Sequence, residues 1–384
     1  MAFLKGLYGV MAILLLSACG GGSAPAVPAQ HRQESLTFRH DTLPQRDYIL
    51  FMPASATDQA PLLVFLHGCT QSAEDALLGT GFNQLAVEIG FVVAYPDQKN
   101  PNDLPPGEAW LDAHLNDGNG ADCWSSGQPT SIVRDSGEAG TLAGISREII
   151  ARPDLNIDPQ RVYIMGFSGG GFMTSVMAAT YPDLYAAAGI VAGCSYMACT
   201  DLGGIMAYQA MGEYAVRMPV ILFHGSADEI IPYPLGRDAL QQWLATNDWI
   251  DNGQPDASLP YTPAAIRQFY SDAASPPDAP PAGTANTDSA CLYYPNSPCL
   301  GGTAGWQDYP HTIEYYGDAE GCLLAEFWTL HGLTHNFPAG NREGSFTDPL
   351  GPDIKRAAMA FFLAQTSGQC VNVTEPFVPD VEME

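Results

Sequence analysis

Short apolar segments alternate with helical patterns along most of the chain. Strands are predicted at 46–53, 61–68, 91–97, 161–167, 185–193, 219–225 and 323–332, and helices at 72–90, 135–151, 169–181, 235–247 and 351–365. The strand segments are apolar on consecutive positions, which is typical of strands buried on both faces. The alternation predicts an α/β fold: a mostly parallel sheet with helices on both faces.

Two long segments interrupt this alternation. Residues 98–134 are rich in Asn, Asp, Gly and Pro and predict a loop, which ends where "DSGE" could cap a helix through Asp135 and Glu138. Residues 250–320 contain many Pro, Ser, Asp and Thr with few apolar runs, which indicates an insertion.

The N-terminal residues are typical of an export signal. Lys5 precedes a short apolar run, so 1–18 is predicted to be a signal peptide. The segment "LSAC" at 16–19 resembles a bacterial lipobox with Cys19 as the lipidated residue, the alternative being an ordinary secretion signal with an incidental cysteine. Residues 19–33 predict a flexible tether, and 34–384 a single α/β domain carrying the insertion.

Charge and cysteine content limit the possible partners. The net charge of −27 argues against a nucleic acid partner, and contact with a membrane is expected only through the lipid on Cys19. Eight further cysteines in an exported chain favour disulfides, with spacing that suggests Cys194–Cys199 and Cys291–Cys299. The sequence contains no Cys-x-x-Cys spacing, so no metal site is predicted.

The segment "GFSGG", Gly166 to Gly170, places one serine between glycines where a predicted strand meets a predicted helix. This is the pattern of a nucleophile elbow, in which Ser168 stands on a sharp strand-to-helix turn. Larger side chains two residues to either side would collide in such a turn. We therefore expect Ser168 to be a nucleophile, the alternative being a glycine-rich turn without chemistry.

A serine nucleophile needs a histidine base and an acid that orients it, in the order Ser, acid, His along an α/β-hydrolase chain. Asp228 follows the predicted strand 219–225, with Glu229 as its competitor. His335 lies in a loop beyond the last predicted strand, whereas His331 is still at the strand end. Because a base must reach the serine, His335 is favoured over His331.

The oxyanion hole of this arrangement combines two backbone N–H groups. One comes from the residue after the nucleophile, Gly169, and the other from the loop "HGCTQS", where Cys69 is favoured and Thr70 is adjacent. Thr70, Phe167 and Trp124 are candidates for the substrate pocket, and packing against a disulfide is an equal alternative for Trp124.

The motifs "FLHGCTQSAED", "VVAYPDQ", "DCW", "RVYIMGFSGGGFMTS", "FHGSAD" and "GLTHNFPAG" together resemble the secreted polyhydroxybutyrate depolymerase and feruloyl esterase group of α/β hydrolases. The resemblance covers most of 46–248 and 323–365. It implies a cofactor-independent serine esterase with Ser168, Asp228 and His335 as the triad, and a Cys69–Cys123 disulfide. The chain departs from the group at Gly169, usually Ala or Ser, and at Phe337, usually Trp.

The resemblance therefore implies an exported ester hydrolase that acts on hydroxyalkanoate polyesters or on feruloyl or acetyl esters of plant polysaccharide. Two further hypotheses are a peptidase of the same fold and a catalytically idle binding protein of the cell envelope. A complete triad in the expected order argues against the idle protein.

Overall fold

A computed structural model describes residues 30–56, 58–98, 122–269 and 309–367. The described residues from His31 onward form one compact unit. Its strands are β1 (Arg32–Phe38), β2 (Arg46–Met52), β3 (Ala60–Leu66), β4 (Val92–Pro96), β5 (Ile157–Phe167), β6 (Ala187–Val191), β7 (Val220–Gly225), β8 (Ala265–Phe269), β9 (His311–Gly317), β10 (Leu323–Leu330), β11 (Phe337–Pro338) and β12 (Thr347–Asp348).

Ten of these strands form one twisted sheet in the order β1-β2-β4-β3-β5-β6-β7-β10-β9-β8. The six strands from β4 to β10 in this order are parallel, and the pairs at both edges are antiparallel. Strands β3, β4, β6 and β7 are buried at every position, as their continuous apolar sequences predicted. This sheet gives the chain the α/β-hydrolase fold.

Helices cover both faces of the sheet. They are α1 (Ala73–Gly79), α2 (Phe82–Ile89), α3 (Gly137–Ile150), α4 (Gly169–Thr180), α5 (Ile205–Met211), α6 (Tyr233–Asn252) and α7 (Ile354–Leu363), with short turns at Tyr196–Cys199 and Gly212–Tyr214. Apolar residues of α3 to α6 pack with Leu62 and Val64 in one core, and those of α1, α2 and α7 pack with Leu63 and Phe65 in the other. Alternate residues of a strand thus enter opposite cores.

Three strands at or next to the edges of the sheet were not predicted. Strand β1 begins at Arg32, inside the segment 19–33 that was expected to be a tether, because its polar sequence "RQESLTF" gives no apolar signal. Strands β8 and β9 lie in the described ends of the 250–320 segment and extend the sheet. The ends of the expected insertion are therefore part of the main fold.

Two helix predictions were wrong in detail. The predicted helix 72–90 is two helices, separated where Gly81 adopts a left-handed φ of 75°. The helix after the 98–134 loop has Ser136 rather than Asp135 at its N-cap position, without a side-chain capping bond, and Asp135 has a φ of 59°. Glu138 does not complete a capping box, because its carboxylate is buried in an ion pair with Arg46.

The structure contains the disulfides Cys69–Cys123 and Cys194–Cys199. The signal peptide, the lipidation site Cys19 and the suggested pair Cys291–Cys299 lie outside the described residues. In the described ranges, no helix combines the length and the apolar character that a bilayer crossing requires.

Candidate active site

The turn at Ser168 joins β5 directly to α4 and holds the serine in a strained conformation, with φ 55° and ψ −120°. Both flanking glycines are sterically required. A Cβ atom on Gly166 would lie 2.3 Å from the carbonyl oxygen of Gly170, and one on Gly170 would lie 2.1 Å from that of Leu66. The sharp turn into α4 is therefore possible only with glycine at these two positions.

The structure brings Ser168, His335 and Asp228 into one hydrogen-bonded chain. His335 Nε2 lies 2.9 Å from Ser168 Oγ, and His335 Nδ1 lies 2.7 Å from Asp228 Oδ2. The exposed fractions of the three residues are 8%, 6% and 5%, respectively. The three residues predicted as nucleophile, base and orienting acid thus lie at hydrogen-bonding distances from one another, and all three are buried.

The Asp228 carboxylate is held by the backbone that follows it. The N–H groups of Ile230 and Ile231 donate to Asp228 Oδ1 at 3.0 and 2.8 Å, so Oδ2 is directed at His335. His224 Nε2 is 3.7 Å from Asp228 Oδ2 and contacts the carbonyl oxygen of Ile231 at 2.7 Å. Burial lowers the pKa of His224, which favours its neutral form. The competing acid, Glu229, is exposed.

The two histidines after β10 have different surroundings. His331 Nε2 lies 2.9 Å from Thr312 Oγ1, on the neighbouring strand β9. The chain then turns at Gly332, which has a φ of 83° and donates its N–H to Ser226 Oγ at 2.9 Å. This turn brings the side chain of His335 to within hydrogen-bonding distance of Ser168, whereas His331 contacts β9.

A tight turn after β3 lies against the serine. The N–H of Gln71 donates to the carbonyl oxygen of Gly68 at 3.2 Å, so Gly68 to Gln71 form a β-turn with Cys69 and Thr70 at its centre. A Cβ atom on Gly68 would lie 3.3 Å from Ser168 Cβ. One on Gly169 would lie 3.5 Å from the backbone nitrogen of Cys69 and 2.6 Å from its Sγ. The backbones of Cys69 and Gly169 are therefore neighbours beside Ser168.

The side chain of Gln71 closes this turn from within. Its Oε1 accepts the N–H of Gly68 at 2.7 Å, and its Nε2 donates to the carbonyl oxygen of Ser345 at 2.7 Å. Gln71 is not among the site residues that the sequence predicts. The sequence signal that could have identified Gln71 is its position three residues after a glycine in a turn, from which its amide can reach back to the backbone.

His67 supports the same turn from beneath. Its ring is fully buried, Nε2 accepts the N–H of Gln98 at 3.0 Å, and Nδ1 lies 2.7 Å from the carbonyl oxygen of Gly68. Burial lowers the pKa of His67 to about 4, so the ring is neutral at pH 7 with Nδ1 as donor. Trp124 Nε1 donates to the carbonyl oxygen of His67 at 2.8 Å.

Trp124 and Phe167 are both almost fully buried. Trp124 is 4% exposed and belongs to the core, which fits the packing role expected as its alternative. The Phe167 ring lies 5.0 Å from the His335 ring and packs near Phe337. Phe337 also contacts Phe65 in the core, so the departure from Trp at this position changes packing behind the site.

A buried ion pair anchors the segment that contains Trp124. The Glu138 carboxylate accepts from Arg46 Nη2 at 2.9 Å, from the side-chain amide of Gln98, and from the N–H of Ser125 at 2.5 Å. The N–H of the same Gln98 contacts His67. The network therefore links α3, β2 and the residues after Cys123 to the turn beside Ser168.

Comparison with known proteins places these features in context. Residues 46–255, more than half of the chain, match the model of the family described as Esterase PHB depolymerase. Poly(3-hydroxyalkanoate) depolymerase C of Paucimonas lemoignei is 28% identical over 296 residues, which are 77% of this chain and 59% of that protein. An acetylxylan esterase of Coprinopsis cinerea is 31% identical over 175 residues, 45% of this chain and 41% of that protein.

The chain thus spans about half the length of these curated relatives. Among solved structures, an acetyl xylan esterase from Aspergillus awamori superposes with a TM-score of 0.53 at 19% identity, covering 79% of this chain and 94% of that one. At this identity the likeness supports the α/β-hydrolase fold.

Proposed function

Because this chain belongs to the esterase PHB depolymerase family, we propose that it is a serine carboxylic-ester hydrolase that works through an acyl-enzyme. The observation that carries the proposal is the hydrogen-bonded chain from Ser168 through His335 to Asp228. A purely structural pair of His335 and Asp228 would not need a serine hydroxyl within hydrogen-bonding distance of the histidine. A strained elbow that presents the hydroxyl adds a second, independent indication.

In the proposed reaction, Ser168 Oγ attacks the ester carbonyl carbon while His335 Nε2 takes the hydroxyl proton. Asp228 holds the imidazole in the tautomer with Nδ1 protonated and stabilises the imidazolium that forms. Collapse of the tetrahedral intermediate expels the alcohol, which receives the proton from His335. Water then attacks the acyl-enzyme with His335 as base, and the acid leaves with Ser168 regenerated.

The negative charge on the intermediate needs donors that are already in place. We assign this role to the backbone N–H groups of Cys69 and Gly169, whose backbones lie side by side next to Ser168. Gly169 is at the start of α4, where N–H groups have no intrahelical partner and the helix dipole favours negative charge. Losing one such donor typically costs about 10²–10³-fold in kcat.

The test compares Ser168→Ala, His335→Ala and His331→Ala in hydrolysis of p-nitrophenyl acetate. We expect the first two to lose at least about 10³-fold in kcat. His331→Ala is the matched control and should lose less than about tenfold, because His331 contacts Thr312 rather than Ser168. Equal activity of Ser168→Ala and the native protein, or a swap between the two histidines, would contradict the assignment.

The substrate class is proposed on the relatives. Their names indicate a polyhydroxyalkanoate for the Paucimonas protein, acetylxylan for the Coprinopsis protein, and feruloyl esters for feruloyl esterase B of Neurospora crassa. We propose that this chain acts on an ester of one of these classes. A parallel assay on hydroxybutyrate trimer, acetylated xylan, methyl ferulate and a peptide amide decides among them. A preference for the amide would replace the esterase proposal with a peptidase.

We also propose that the protein is exported and held at the cell envelope by a lipid on Cys19. The proposal rests on the signal-like residues 1–18 and on "LSAC". Cys19→Ala should release the protein from the membrane fraction or block its processing. Full solubility of the native protein would contradict the lipid anchor. The alternative would then be an ordinary secreted protein.

A further inference from the structure

Thr70 occupies a conformation that its side chain does not favour. It is the third residue of the Gly68–Gln71 turn and has a φ of 65°. Gly or Asn usually fills such a position, and a β-branched residue there is an outlier. The turn is held by the Gln71 side chain, by His67 and by the Cys69 disulfide, so the surrounding structure imposes this conformation.

The Thr70 hydroxyl also has no hydrogen-bond partner in the part of the chain that the structure describes. Oγ1 is buried, and no described residue forms a hydrogen bond with it. Buried hydroxyls are normally paired, and a threonine hydroxyl offers one donor and two acceptor positions. The neighbouring side chains of His67 and Gln71 are both paired. An unpaired buried hydroxyl in an otherwise satisfied turn therefore calls for an explanation.

The position of the turn beside Ser168 explains why the Thr70 hydroxyl is unpaired. Thr70 directly follows Cys69, whose backbone nitrogen lies 3.5 Å from where a Cβ of Gly169 would be. Gly68, at the start of the same turn, lies against Ser168, since a Cβ there would be 3.3 Å from Ser168 Cβ. The unpaired hydroxyl thus belongs to the short turn that borders the proposed oxyanion site.

We propose that Thr70 Oγ1–H donates a hydrogen bond to the carbonyl oxygen of the bound ester, as a third donor beside the N–H groups of Cys69 and Gly169. The inference rests on the proposed esterase function. It explains the unpaired hydroxyl, which gains its partner only when substrate binds. It also accounts for a β-branched residue at a position where glycine would be less strained, because glycine has no hydroxyl to donate.

Two variants separate this role from a purely structural one. Thr70→Val removes the hydroxyl and keeps the β-branched shape. Thr70→Gly removes the hydroxyl and also relieves the left-handed strain, so it should be at least as stable as the native protein in thermal unfolding. Loss of one oxyanion donor predicts that both lower kcat by about 10²–10³-fold with KM changed less than about threefold. Thr70→Ser should restore most of the activity.

Thr180→Val is the matched control. Thr180 is equally a threonine with a buried hydroxyl, but its Oγ1 donates to the carbonyl oxygen of Val176 in α4. This variant should keep kcat within about threefold of native. Inhibition by a boronic acid, which forms a tetrahedral adduct with the serine, should weaken in parallel with kcat in both hydroxyl-free variants.

The outcomes distinguish the inference from the proposed function. If Ser168→Ala is as active as the native protein, the esterase proposal itself fails. If Ser168→Ala is inactive and Thr70→Gly keeps a kcat within threefold of native, the Thr70 assignment is overturned. If the role of Thr70 were only structural, Thr70→Val and Thr70→Gly would change kcat in opposite directions, because only Thr70→Gly relieves the left-handed strain. Thr70→Gly decides the question even if Thr70→Val does not fold.

Discussion

The Cys69–Cys123 disulfide should contribute to stability and to turnover through separate physical effects. It joins residues 54 positions apart and ties the segment before Trp124 to the turn beside Ser168. In the chain-entropy model, a loop of this length contributes about 4 kcal/mol to the free energy of unfolding. The double variant Cys69→Ser/Cys123→Ser removes the bridge while keeping the backbone N–H at position 69.

The chain provides a matched control in its other described disulfide. Cys194 and Cys199 are only 5 residues apart, for which the same model gives about 2 kcal/mol. Denaturant unfolding of the two double-serine variants should therefore rank the Cys69–Cys123 variant as the less stable one. Comparing variants is preferable to adding a reductant, because Cys322 is disulfide-bonded as well.

Turnover gives the second readout. Without the bridge, the turn is still held by Gln71 and His67, so we expect kcat to fall by about tenfold, less than the full loss of an oxyanion donor. KM should change less than about threefold, and the Cys194–Cys199 variant should keep its kcat. Equal stability of the two variants would refute the entropic argument, and an unchanged kcat would refute the link to the oxyanion turn.

Two further predictions follow from single side chains. Gly169→Ala should lower both thermal stability and kcat, because the added Cβ would lie 2.6 Å from Cys69 Sγ. Gly203→Ala is the control: a Cβ there meets open space, so the melting temperature and the steady-state kcat should not change. Burial raises the pKa of Glu326 to about 7. Between about pH 4.5 and 7 the folded state therefore holds a proton that the unfolded state has released. The free energy of unfolding falls as the pH rises through this window. The free energy of unfolding of Glu326→Gln relative to native should therefore rise by about 3 kcal/mol from pH 4 to pH 8, and an unchanged difference would contradict the shift.

The site was predictable where its chemistry depends on local sequence. The elbow at Ser168 needs glycines at fixed distances along the chain, and these are visible as "GFSGG". The order Ser, Asp, His restricted the search for the other two residues to the loops after two predicted strands. The structure brings Ser168, Asp228 and His335 together at hydrogen-bonding distances.

The supporting residues were not predictable, because their partners are distant in sequence. Glu138 matched a local capping pattern, but it forms a buried ion pair with Arg46, 92 residues away. Gln71 contacts Ser345, 274 residues away. Strands β1, β8 and β9 were missed for a different reason: they include several exposed or half-buried positions, so their sequences lack the continuous apolar character of the central strands.

The central claim is that the hydroxyl of Ser168 is a nucleophile activated by His335. Labelling with a fluorophosphonate, followed by peptide mass mapping, tests it most directly, because the probe reacts only with an activated serine and identifies the residue. We expect one label on the peptide that contains Ser168, none in Ser168→Ala, and a strongly reduced rate of labelling in His335→Ala. Labelling of another serine, or equal labelling of Ser168→Ala, would contradict the account.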